Sequence, residues 1–198
     1  MIKLKLFIAT VVVLLALSSC ETAKKAYLGI GKTEVKVRPE NDVIKYYEPF
    51  LIGNTYKTKL YVISNFDAAD KALKDFGFPR IFIKNRQTNI VYELNCFEDL
   101  EANIDDVNNN IFSEYITLKN PTDFTNLTAF TGDKAESKLL VYSGENDTNK
   151  TWDIYISYAT FLGKKLRKLT LPVTKLKDIN EVFILDLSID ENAIKIEQ

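Results

Sequence analysis

The run VFILDL at residues 182–187 narrows the folds open to this chain more than any other stretch. A nearly continuous apolar segment of that length belongs to a strand buried on both faces, as in a parallel sheet covered by helices. Upstream, DIYISY at 153–158 predicts a second strand. Between the two, Leu162, Leu166, Leu169, Val173 and Leu176 recur at helical spacing along one continuous face. Pro172 falls inside that helix and is expected to kink it. Strand, helix and strand at this spacing predict a right-handed βαβ unit.

A second unit precedes it. LYVIS at 60–64 is a compact apolar strand, and Asn65, Phe66 and Asp67 open a helix. Its inner face carries Ala69, Ala72, Leu73 and Phe76, and Gly77 supplies the terminator. After Phe78 and Pro79, RIFIKN and NIVYEL alternate as two strands joined around Arg86, Gln87 and Thr88. Asn95 and Glu98 have capping-box spacing ahead of a helix face of Phe97, Leu100, Ala102, Ile104 and Val107. The order is β-α-β-β-α. Around these units, Val35 and Val37 predict a short strand ended by Pro39, and Asp42 caps a short helix bearing Val43, Ile44 and Tyr47 that Pro49 breaks. Residues 108–131 read as polar loops with one short strand at 115–118; 139–142 form another strand. The expected class is α/β, a mixed central sheet flanked by helices.

The first twenty residues, MIKLKLFIATVVVLLALSSC, carry Lys3 and Lys5 followed by an apolar run from Leu6 to Leu17. That run has signal-peptide length and falls short of the roughly 20 residues a spanning helix needs. Its end, Leu17-Ser18-Ser19-Cys20, resembles the bacterial lipobox, which implies acylation of Cys20, cleavage before it and attachment to a membrane by more than one acyl chain. The expected organisation is a lipoprotein signal peptide over 1–19, an anchor and tether over 20–40 and a single domain over 41–198. The expected location is the cell envelope, on the outer membrane of a Gram-negative bacterium.

Cleavage removes Lys3 and Lys5 and takes the formal net charge from −1 to −3. A mildly acidic body lacks the basic excess of a nucleic-acid binder. The chain has no histidine, which removes the commonest metal ligand and general base, and no metal or cofactor is expected. Its two cysteines are Cys20 and Cys96, so with Cys20 acylated no disulfide can form within the chain.

IYISYATFLGKKLRKL, residues 154–169, resembles the active-site segment of thioredoxin-like proteins: a strand, an aromatic-Ala-X-aromatic turn, and a Cys-X-X-Cys helix start. Tyr158, Ala159, Thr160 and Phe161 match the turn, and Leu162 and Lys165 stand where the cysteines belong, around Gly163 and Lys164. LDLSIDEN at 185–192 is similar to the strand and Asp-Glu-Asn that follow. The stretch NFDAADKALKDFGFPRIFIKNRQTNIVYE resembles the other half, with Pro79 matching a proline that is cis in the family. Both cysteines are absent, so thiol–disulfide exchange does not carry over. The two halves stand in reversed order, which implies either a circularly permuted thioredoxin-like domain or a divergent fold built from the same βαβ parts.

The resemblance implies that Phe78, Pro79 and Arg80 face Leu162, Gly163, Lys164 and Lys165 across a groove with a basic rim. The expected function is therefore a non-catalytic, lipid-anchored binding or scaffold module with a protein, peptide or anionic partner. The alternatives are a thiol enzyme using Cys96, whose position at a helix start can lower its pKa, and a structural subunit of an envelope complex. Lys164, Lys165, Arg167 and Lys168 cluster at a helix mouth, a pattern that most often marks a solvated face. Asp105-Asp106 and Asp190-Glu191 lie outside any calcium-loop pattern. Tyr46, Tyr47, Trp152 and Tyr155 read as core or interface aromatics.

Overall fold

The computed structural model describes residues 37–52, 54–94, 99–112, 116, 118, 120–144, 149–160, 167–168 and 170–190. In chain order the elements are β1 (Val37–Arg38), α1 (Glu40–Leu51), β2 (Lys57–Ile63), α2 (Phe66–Asp75), β3 (Arg80–Asn85), β4 (Val91–Leu94), α3 (Leu100–Asn108), α4 (Pro121–Gly132), β5 (Ser137–Ser143), β6 (Trp152–Tyr158), a 3-10 helix (Leu171–Lys175) and β7 (Ile179–Asp190). The strands form one mixed sheet in the order β4-β3-β6-β7-β2-β5, with β1 added parallel to the far end of β7. β6, β7 and β2 run parallel, while β3, β4 and β5 are antiparallel to their neighbours.

The run VFILDL lies in the parallel centre, as its apolarity predicts. Ile184, Leu185 and Leu187 are fully buried. Strand alternation sends Ile154, Ile156 and Tyr158 to the face covered by α1, α3 and the 3-10 helix; Phe82 lies on the opposite face, 5.6 Å from Phe124 of α4. On that face α2 packs on α4 through Phe76 and Phe130, whose rings are 5.5 Å apart.

The two units join in this sheet. Arg80 of β3 stands in register with Ser157 of β6, and the Ser157 hydroxyl donates to the Gly77 carbonyl at 2.8 Å. The Phe78–Pro79 bond, cis in the family that the sequence resembles, is cis. Gly77, at φ +65°, ends α2 as expected, and Asn65 caps the helix by accepting from the Ala68 N–H at 2.8 Å.

Several local expectations are corrected. Pro49 does not break α1, which runs to Leu51. In the final turn it forfeits one backbone bond, while the Ile52 N–H still reaches the Glu48 carbonyl at 3.0 Å and Phe50 is anchored in the core. Residues 121–131, read as loop, instead belong to α4. Pro121 occupies its first turn and Asn120 caps it by accepting from the Thr122 N–H at 3.1 Å. Ile116 is buried but belongs to no strand. On α3 the inner face includes Asn103, while Ala102 points to solvent; on α2, Leu73 is 39 % exposed while Ala68 is buried. The Leu171–Lys175 portion of the expected long helix is 3-10, with Pro172 in its opening turn rather than at a kink. The Asn95–Glu98 capping box lies outside the described residues.

Candidate functional site

The parallel strand β6 ends beside Asp186 of β7, which runs on to Asp190, and a buried polar cluster gathers where their pairing stops. In open α/β sheets this is the edge where ligands bind. Tyr158, the last residue of β6, pairs with Asp186 of β7. Beyond it the ladder to β2 slips: Val62 faces Asp186, but Ile63 faces Ile189, so Leu187 and Ser188 are extra residues on β7. Such a bulge re-aims side chains at the end of a ladder.

Asp186 is fully buried, and three donors converge on its carboxyl. Tyr47 Oη donates to Oδ2 at 2.6 Å, the Thr160 N–H to the same oxygen at 3.0 Å, and the Ser188 N–H to Oδ1 at 2.6 Å. Ser188 Oγ and Thr160 Oγ1 share a further bond of 2.5 Å. Desolvation dominates and pushes the Asp186 carboxyl up to about 6, although each of these hydrogen bonds opposes the shift by favouring the carboxylate.

Tyr46 lies above the cluster. Its ring is 6.3 Å from that of Tyr158 and 5.1 Å from that of Tyr47. Arg167 Nη1 donates to the Tyr46 carbonyl at 2.6 Å, and its guanidinium carbon sits 5.0 Å from the ring centre. Burial raises the Tyr46 phenol to about 12, against the lowering effect of the neighbouring Tyr158 hydroxyl and of the Arg167 and Arg38 charges.

The structure brings Phe78 and Pro79 to this end of the sheet, since β3 begins beside the end of β6. Arg80 turns away: its Nε is 2.7 Å from Glu93 of β4 and its Nη2 2.8 Å from Asp123 of α4. Its charge is spent within the fold rather than on a rim. Leu162, Gly163, Lys164, Lys165, Cys96 and Cys20 lie outside the described residues. Lys168 is exposed. Tyr47 and Trp152 are core residues as expected, and Tyr46 and Tyr155 are half-buried.

Sequence reasoning missed Asp186 and Ser188, named Thr160 only as part of the turn, and gave Tyr47 only a packing role. One signal was available: a carboxylate inside an otherwise apolar central strand is either paired or hydrogen-bonded in the interior. Among the described residues no group of three or more histidine, cysteine, aspartate or glutamate side chains is placed to hold a metal ion, and no helix is long and apolar enough to cross a membrane. No family model, curated protein or solved structure matches the chain.

Proposed function

We propose that this chain is a lipid-anchored envelope protein whose cysteine-less, thioredoxin-like domain binds a partner at the C-terminal ends of β6 and β7 and performs no chemistry of its own. The observation that carries the reading is the register of Arg80 with Ser157. It makes neighbours of the two segments that resemble the halves of a thioredoxin-like site, although they stand in reversed order along the chain. The turn at Phe78 and Pro79 then lies beside the strand that leads into Leu162, Gly163, Lys164 and Lys165. Absence of histidine, and a buried carboxyl already taken by Tyr47, Thr160 and Ser188, favour recognition over turnover.

The anchor is tested by replacing Cys20 with alanine, which should release the protein from the membrane fraction and abolish acyl labelling. The binding surface is tested with a photo-crosslinking residue at Leu162 or Phe78, using Tyr142 on β5 as the control position. A discrete adduct from the first two, lost on Lys164→Ala with Lys165→Ala, supports the reading. Equal yields from all three positions, or a silent pair, sink it. Arg80 is left intact because its bonds to Glu93 and Asp123 make it a folding residue.

A further inference from the structure

At the other end of β6 from Tyr158, a cavity of about 400 Å³ opens among the β3–β4 turn, the end of α3, the segment after it and the start of β6. That volume lies within the roughly 300–1,000 Å³ of small-molecule sites. Three aromatic rings form its apolar wall. Tyr92 of β4 stacks on Phe112 with ring centres 4.8 Å apart, and the indole of Trp152, the first residue of β6, stands 6.1 Å from Tyr92 and 6.3 Å from Phe112. Trp152 is buried, but Phe112 remains 43 % exposed although it packs against both other rings. The cluster thus keeps an aromatic surface that folding does not cover.

Carboxamides dominate the polar lining. Two of them hold the cavity's frame. Asn85 Oδ1 accepts from the Gln87 and Thr88 N–H groups at 2.9 and 3.0 Å, which fixes the β3–β4 turn. Asn108 donates to the Lys175 carbonyl at 3.2 Å and accepts from the Lys177 N–H at 2.8 Å, which ties the end of α3 to the segment ahead of β7. Gln87 and Asn110 are exposed, and among the described residues their amides have no partner. The ionised residues of the lining, Lys177 and Asp178, have opposite signs, and Asp178 is also 3.6 Å from Lys150. The cavity has no excess charge with which to attract an ion.

Such a lining suits a neutral ligand with an apolar face and a rim of hydroxyls, because an amide both donates to a hydroxyl and accepts from it. A flat heteroaromatic ring fits poorly. Tyr92 and Phe112 already stack on each other, and the indole stands at 67° and 44° to them, so no parallel slot is open. The angled rings form a corner that admits the thicker chair of a pyranose. We propose that Tyr92, Phe112 and Trp152, with Gln87 and Asn110, bind a neutral pyranose unit of a saccharide. This site goes beyond the partner surface proposed above and does not depend on it, since the two lie at opposite ends of β6.

Trp152 is the only tryptophan of the chain, so its fluorescence reports on this cavity directly. The mature chain without its lipid is titrated with cellobiose, maltose and chitobiose. Sorbitol serves as a control with hydroxyls and no ring, and cytosine as a flat ring. The expected result is a saturable change with at least one disaccharide and none with sorbitol or cytosine. Binding should weaken roughly tenfold in Phe112→Ala and about fivefold in Gln87→Ala. Phe112→Tyr keeps the ring and should keep binding, which separates loss of the site from loss of the fold. A response to sorbitol or cytosine that matches the disaccharides, one unchanged in both alanine variants, or none with any of the three saccharides overturns the site. The Leu162 crosslink should be the same in Phe112→Ala as in the wild type, so failure of the saccharide site leaves the partner reading standing, and a silent crosslink leaves the saccharide site standing.

Discussion

Tyr47 and Asp186 are 139 residues apart in the chain and meet at 2.6 Å, phenol to carboxyl, beneath the ends of the parallel strands. The bond ties the first helix to the central strand and takes up one of the oxygens of a fully buried acid. A single change at Tyr47 isolates it. Tyr47→Phe keeps the ring and removes the donor, so Asp186 is left short of a partner inside the core. The expected loss is about 2 kcal/mol in urea unfolding at neutral pH, with unchanged near-ultraviolet packing signals.

Asp186 also makes stability depend on pH. Its folded pKa of about 6 lies above the unfolded value near 3.9, so the folded chain holds the extra proton between them. The stability that this group contributes is complete below about pH 4, declines as pH rises to about 6 and is flat above, a fall of roughly 3 kcal/mol. Urea midpoints of the wild type and Asp186→Asn across pH 4 to 7 read it directly. The difference between the two should follow that decline; parallel curves would show that Asp186 titrates normally.

Two glycines should respond in opposite ways. Gly144, at φ +91°, would place an added Cβ 2.4 Å from the Tyr56 carbonyl oxygen, a backbone atom that cannot step aside. Gly144→Ala should cost at least about 2 kcal/mol and loosen the end of β5. At Gly132, the last residue of α4, an added Cβ meets nothing within 4 Å. Gly132→Ala should be neutral or stabilise by roughly 0.5 kcal/mol.

Ser157 of β6 sits opposite Arg80 at the start of β3, where the antiparallel β3 joins the parallel centre of the sheet. Ser157→Ala removes its bond to the Gly77 carbonyl in a fully buried setting, with an expected cost of about 1 kcal/mol. Amide exchange in the variant should quicken at the start of β3 and the end of β6 before it quickens in β2 or β5.

Much of the fold was legible because its signals are local. Apolar runs marked β2, β6 and β7, alternation marked the β3–β4 hairpin, and Asn65 and Gly77 bracketed α2. The helix α4 escaped because threonine, asparagine and glycine dominate it, so propensity was low and Pro121 looked like a breaker; in the structure the same proline and Asn120 make the helix start, and burial of Leu127 and Phe130 secures it. Extension of α1 past Pro49 depends on Phe50 reaching the core, which no local pattern reports. The polar cluster was hidden for a different reason. Tyr47, Thr160, Asp186 and Ser188 come from α1, the end of β6 and a bulge in β7, and only the strand order assembles them. Arg80 shows the converse: its charge suggested a basic rim, and its neighbours on β4 and α4 consume it.

The most direct test of the account is hydrogen–deuterium exchange of the protein in isolated envelopes against the detergent-purified chain. Protection gained in the envelope at residues 77–80 and 158–168, with β5 unchanged, is the predicted result. Protection confined to β5 or the outer face of α4, with those two segments exchanging identically in both samples, would contradict it.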